Sequence, residues 1–149
     1  MLLKGTSYEI MITGLEAAIV AQLLKFIGHA IVKKKIDFQV LATTGGMPSA
    51  HTAGVVSISM LVGFICGFDS VEFAIAIGYA FVVMYDAAGL RRSTGKIAAC
   101  LNKIRDDFYS HGQMPAERLK ELLGHTPFEV FVGAMLGAFL AYINHFFLF

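Results

Sequence analysis

Four stretches of this sequence stay apolar for about twenty residues each, the length a helix needs to cross about 30 Å of hydrocarbon. They run from about Tyr8 to Val32, Pro48 to Phe68, Val71 to Gly89 and Pro127 to Leu148. Hydrocarbon offers no partners to backbone N–H and C=O groups, so segments of this kind are helices. The expected fold is all-α: a single integral membrane domain over residues 1–149, a polytopic bundle of about four transmembrane helices with a cytoplasmic amphipathic helical loop at about 90–126. Composition agrees. The chain is 56% hydrophobic and 15% charged, with a mean hydropathy of +0.67, more apolar surface than a soluble domain of this length buries. A net charge of +1 supplies no basic field for nucleic acid. Cys66 and Cys100 lack metal-ligand spacing and fall near opposite membrane faces, so neither a metal site nor a disulfide is expected. The N-terminus lacks the charged-then-apolar pattern of a cleaved signal, so the first stretch is read as retained.

The basic residues orient the spans. Lys33, Lys34, Lys35, Arg91, Arg92, Lys96, Lys103, Arg105, Arg118 and Lys120 fall on one side, and Lys4 with the acidic turn at Asp69 and Glu72 on the other. The positive-inside rule puts the long loops in the cytoplasm and both termini outside; the membrane is expected to be a bacterial plasma membrane. The short turn Gly67–Ser70 makes the second and third spans an antiparallel hairpin. In the long loop, Ile97, Leu101, Ile104 and Phe108 recur at helical spacing among charges, which reads as an amphipathic helix on the membrane surface or on the bundle. Ser110 to Pro115 interrupts it, and a short helix is expected at about Ala116 to Leu123. Gly63-x-x-x-Gly67 and Gly133-x-x-x-Gly137 permit close helix packing, within one chain or in a homo-oligomer.

Chemistry-bearing residues gather at the span ends. The second span opens with Gly45-Gly46-Met47-Pro48-Ser49-Ala50-His51. Glycines allow close backbone approach, proline suits a first helical turn, and the free amides of that turn favour an anion. Ser49 and His51 add a hydroxyl and an imidazole. Polar capping alone also accounts for this pattern. The third span ends in Asp86-Ala87-Ala88-Gly89-Leu90-Arg91-Arg92, an acid followed by two guanidiniums that suit a phosphate clamp. A positive-inside anchor explains the arginines but not Asp86. The fourth span starts through Gly124-His125-Thr126-Pro127-Phe128-Glu129, where Thr126-x-x-Glu129 is a capping box and Glu129 is also placed to orient a His125 nucleophile.

In the first span Gln22, Lys25, His29 and Lys33 form one polar stripe, expected to face the bundle interior. Lys25 is a phosphate ligand on this reading, or a snorkelling side chain. His111 and His145 have no matching partners and are read as surface residues. Four spans bring His51, Arg91, Arg92 and His125 to one membrane face, a set suited to phosphoryl transfer. Gly89 to Lys96 is not a nucleotide-binding Walker loop: its glycine spacing is one residue too long, and Ile97 stands where Ser or Thr is needed.

Three segments resemble the divergent PAP2 family: Gly45 to His51, Met84-Tyr85-Asp86-Ala87-Ala88-Gly89-Leu90-Arg91-Arg92, and Leu119-Lys120-Glu121-Leu122-Leu123-Gly124-His125-Thr126-Pro127-Phe128-Glu129-Val130. Ala21 to Lys25 also fits it. The resemblance spans nearly the whole chain in the same order. It implies kinship with metal-independent acid phosphatases and vanadium-dependent haloperoxidases, a reduced PAP2-like core, and no cofactor. It further implies a membrane phosphatase acting on a lipid phosphate or diphosphate. By similarity, His125 attacks phosphorus and forms a phosphohistidine, and Glu129 holds its ring in place of the usual Asp. His51 protonates the leaving oxygen and then activates water; the residues themselves add Asp86 as an acid bracing the arginine clamp. Arg91, Arg92, Lys25 and Ser49 hold the phosphate. The chain departs from the wider superfamily in Ala50 for glycine, in a missing Arg-Pro and in about four spans instead of six. Arg91 and Arg92 also lie far upstream of His125. A non-catalytic phospholipid-headgroup binder or lipid transporter that keeps the phosphate cradle is the alternative.

Overall fold

The structure is a computed structural model describing residues 3–42, 45–109 and 124–149, with the side chains of 41, 42, 90–92 and 106–109 outside that description. Helix α1 (Ser7–Lys33) leads through a 3-10 turn (Phe38–Ala42) to α2 (Ala50–Cys66). Then come α3 (Val71–Ala88), α4 (Leu90–Tyr109) and α5 (Pro127–Ile143), which ends in a π turn at Asn144–Leu148. No strand occurs among the described residues. The runs Ser7–Lys33, Val71–Arg105 and Pro127–Leu148 are long and apolar enough to cross a membrane, and α2 is apolar but shorter, at 17 residues. The molecule is an all-α membrane bundle.

The short helix α2 is central and packs against α1, α3 and α5. Most of its inward positions are small, which lets neighbouring backbones come close where lipid supplies no hydrophobic drive between helices. A Cβ on Gly133 of α5 would stand 2.6 Å from the Ser49 carbonyl oxygen, and one on Gly137 would collide with the Ala53 carbonyl. On the other side, a Cβ on Gly14 of α1 would lie 2.6 Å from Ile58 Cγ1. Buried Ala17, Ala21 and Ala53 fill the middle. Ser59 Oγ donates to the Ala76 carbonyl over 3.0 Å and Ser57 Oγ to the Thr13 carbonyl over 3.4 Å, so these buried hydroxyls link α2 to α3 and α1. Large apolar side chains such as Ile19, Val82, Phe131 and Phe139 point outward, as a lipid-solvated surface requires.

The end of the bundle remote from the loop 45–49 carries a polar lock. Glu9 is fully buried, accepts from the Gly5 N–H, and meets His145 Nδ1 at 2.7 Å. Asn144 Nδ2 donates to Thr13 Oγ1 over 3.2 Å and to Glu16. These bonds tie the start of α1 to the finish of α5.

Several sequence expectations change. His145 is not a surface residue: it pairs with Glu9 and stacks on Phe64, with ring centroids 5.5 Å apart. Pro48 precedes the Ser49 N-cap, joined to Met47 by a cis peptide bond, and does not occupy the first helical turn. Gly63 faces the Phe68 ring of its own hairpin, not another helix. The region from 90 is helix from its first residue, since α4 follows α3 directly after the Gly89 cap. The expected break at 110–115, the short helix at 116–123 and His111 lie outside the described residues.

The glycine contact yields a direct test. Gly137→Ala lowers the thermal unfolding midpoint in detergent, by about 1–3 kcal/mol of overpacking cost. Gly78→Ala, where a Cβ meets open space, leaves the midpoint unchanged or raises it.

Candidate functional site

Helices α2 and α5 begin at the end of the bundle where α1 and α3 finish. Two backbone bonds close this end: the Ser49 N–H donates to the Glu129 carbonyl over 3.2 Å, and the His125 N–H to the Ala87 carbonyl over 2.9 Å. At the start of α5, Thr126 Oγ1 accepts the Glu129 N–H at 3.3 Å while Glu129 Oε2 accepts the Thr126 N–H at 3.1 Å. This reciprocal pair is the capping box, worth about 1 kcal/mol to a helix start. The same Oε2 lies 3.2 Å from His125 Nδ1. A carboxylate only accepts, so Nδ1 carries the ring proton and Nε2 keeps the lone pair. Glu129 therefore caps the helix and orients the imidazole at once.

Lys25 reaches the same place from α1. It is 6% exposed, and its Nζ donates to Gln22 Oε1 over 3.0 Å. Gln22 Nε2 in turn donates to the Val40 carbonyl over 3.2 Å, pinning the 3-10 turn to α1. Burial rules out snorkelling into bulk solvent. Gly46 has φ +94°, and a Cβ there would sit 3.4 Å from Lys25 Cδ. Only glycine takes that backbone region freely and lets the loop pass the lysine stem.

Lys25, His125 and Glu129 line a cleft of about 780 Å³ together with Gly45, Gly46, Met47, Gly124 and Thr126, and with His29, Lys33, Asp37 and Lys96. His125 is 2% exposed. Burial pushes its imidazole below the ordinary value of 6.5, the Glu129 hydrogen bond and charge oppose this, and the charges of Lys25 and His51 add to the lowering. The resting ring is thus neutral near pH 7, the form that can act as a nucleophile.

The remaining expected site residues lie around this cleft. His51 sits exposed in the first turn of α2, near enough for its charge to act on His125. Asp86 lies in the last turn of α3, beside the Ala87 carbonyl that holds the His125 backbone. Ser49 does not reach the cleft. It is fully buried, and its Oγ caps α2 by accepting the Thr52 N–H and the Thr52 hydroxyl, because the first helical turn has no backbone partner for that N–H. Arg91 and Arg92 are in the first turn of α4, with side chains outside the described residues. Contributors missed as site residues include Asp37, Lys96 and the 3-10 turn. Lys96 projects from the amphipathic α4, and its place on that helix was the available signal. The 3-10 turn, with Val40 bonded to Gln22, had none.

The sequence profile described as the Divergent PAP2 family matches residues 6–140. The chain is similar to the uncharacterized membrane protein YuiD of Bacillus subtilis (strain 168), at 36% identity over 148 residues, covering 92% of this chain and 94% of that protein. No solved structure matches it significantly.

A neutral, buried His125 has a signed pH consequence. Its folded value lies below its unfolded value, so its contribution to stability is full above pH 6.5 and is lost as pH falls through the lowered folded value. In NMR titrations of ring-labelled protein, His125 titrates below 6.5. Lys25→Met raises that value by removing a nearby positive charge, and Glu129→Gln lowers it further.

Proposed function

This chain belongs to the divergent PAP2 family, and on that premise we propose that it is a membrane phosphatase that hydrolyses a lipid phosphate or diphosphate through a phosphohistidine. The observation that carries the proposal is the buried His125–Glu129 pair set in a cleft with Lys25. The Nε2 lone pair of His125 attacks phosphorus, and the P–O bond to the lipid breaks. The leaving oxygen takes a proton from protonated His51, which lies at the same helix start. Water then attacks the phosphohistidine, gives a proton to His51 and releases phosphate. Glu129 holds the ring as it becomes positively charged. Lys25 and the backbone amides near Gly45 and Gly46 neutralise the equatorial oxygens, with Arg91 and Arg92 as further cations from the start of α4. Two helix N-termini, of α2 and α5, point their positive ends at this region.

A second reading, a headgroup binder or lipid transporter without turnover, is favoured by one observation: His51 is not among the residues lining the cleft. Phosphate release from a panel of lipid phosphates and diphosphates separates the two. The phosphatase reading expects release by the wild type, none by His125→Ala, and a loss of roughly 10²–10⁴-fold in His51→Ala. Glu129→Gln keeps an amide able to complete the capping box, so it lowers turnover with little change in melting temperature. Release that persists in His125→Ala rejects the mechanism. Headgroup binding without release from well-folded wild type selects the binder.

The distribution of basic residues supports both termini outside and the cleft facing the cytoplasm, and the Bacillus subtilis relative supports a bacterial plasma membrane. Both cysteines are free and exposed, Cys66 at the far end and Cys100 on α4. A membrane-impermeant maleimide added to intact cells labels Cys66 in a Cys100→Ser variant and spares Cys100 in a Cys66→Ser variant. The reverse pattern inverts the orientation.

A further inference from the structure

Helix α4 turns outward an apolar row that the bundle does not cover. Gly95, Ala98 and Asn102 are buried, whereas Ile97, Leu101 and Ile104 are 59%, 49% and 48% exposed. At about 100° per residue, Lys96 and Lys103 fall together on one flank of the row and Arg105 on the other. Along α4 stand Arg91, Arg92, Lys96, Lys103 and Arg105 against Asp106 and Asp107. Lys33, Lys34 and Lys35 close α1 at the same end, since Lys33 and Lys96 line one cleft.

We infer that α4 lies in the headgroup layer of the membrane that the bundle spans and binds anionic lipid there. Depth follows from connectivity: α4 starts directly after the Gly89 cap, where the apolar helix α3 ends. An exposed apolar row flanked by cations matches that layer. The row enters the acyl boundary, lysine stems lie along it, and their ammonium groups meet lipid phosphates. A seam between two copies would instead set these like charges against each other. This inference rests on membrane insertion and not on the phosphatase reading.

The chain contains no tryptophan, so one substitution installs a unique reporter. Full-length Leu101→Trp, with Ile97→Trp as a second reporter of the same face, is placed in mixed phosphatidylcholine and phosphatidylglycerol vesicles. Either one lipid or the other carries brominated tails. Blue-shifted emission is expected from both variants, with quenching by brominated phosphatidylglycerol exceeding that by an equal fraction of brominated phosphatidylcholine by about threefold or more. Adding Lys103→Gln and Arg105→Gln brings the two quenching levels together. Water-like emission from both reporters overturns the interfacial seat. Equal quenching by the two lipids in the unneutralised protein overturns the anionic preference.

Discussion

The backbone contact between α2 and α5 is the constraint from which the site follows. Gly133 and Gly137 bring α5 against the Ser49 and Ala53 carbonyls, closer than any side chain would allow. That approach lets the Ser49 N–H reach the Glu129 carbonyl, joining two parallel helices at their starting ends. His125 and Glu129 then stand beside the loop at Gly45–Met47. Larger residues at these glycines would separate the two helix starts, and with them the imidazole and the loop that form one cleft.

The buried ionisable and amide side chains divide between the two ends of the bundle, and the middle holds small residues. Ala17, Ala21 and Ala53 occupy the middle. Glu9, Glu16, Asn144 and His145 pair at one end, while Gln22, Lys25, His125 and Glu129 pair at the other. A polar group unsatisfied in hydrocarbon costs several kcal/mol, so each of these side chains needs a partner. At the far end those partners fasten α1 to α5. At the cleft end they leave Lys25 and the His125 ring lining open volume. One carboxylate, Glu129, serves the capping box and the imidazole together, so helix start and ring orientation share a single bond network.

Much of this was legible because hydropathy and cap chemistry are local. The apolar stretches at about 8–32, 48–68, 71–89 and 127–148 coincide within a few residues with the helices α1, α2, α3 and the α5 run. The Thr126–Glu129 box stands as its spacing demands, since residues three apart meet across one helical turn. Lys25 was visible through the period of its stripe. The Glu9–His145 pair was not, because its members are separated by 136 positions and only the antiparallel placement of α1 and α5 joins them. Ser49 stayed open between two readings, because a serine before a helix serves equally as cap or ligand. The buried first turn of α2 decides for the cap.

The sequence by itself determined an all-α membrane bundle, the helix boundaries set by apolar length, and the family the chain belongs to. These depend on residue type and near-neighbour spacing, which chain order carries. Tertiary structure alone decided that α2 is central, that Lys25 is buried against Gln22, and that Lys96 joins the cleft while Ser49 lies behind it. Those facts depend on which helix faces meet and how closely. Helix rotation and approach are set by glycine contacts and buried hydrogen bonds between residues far apart in the chain, and no local pattern encodes them.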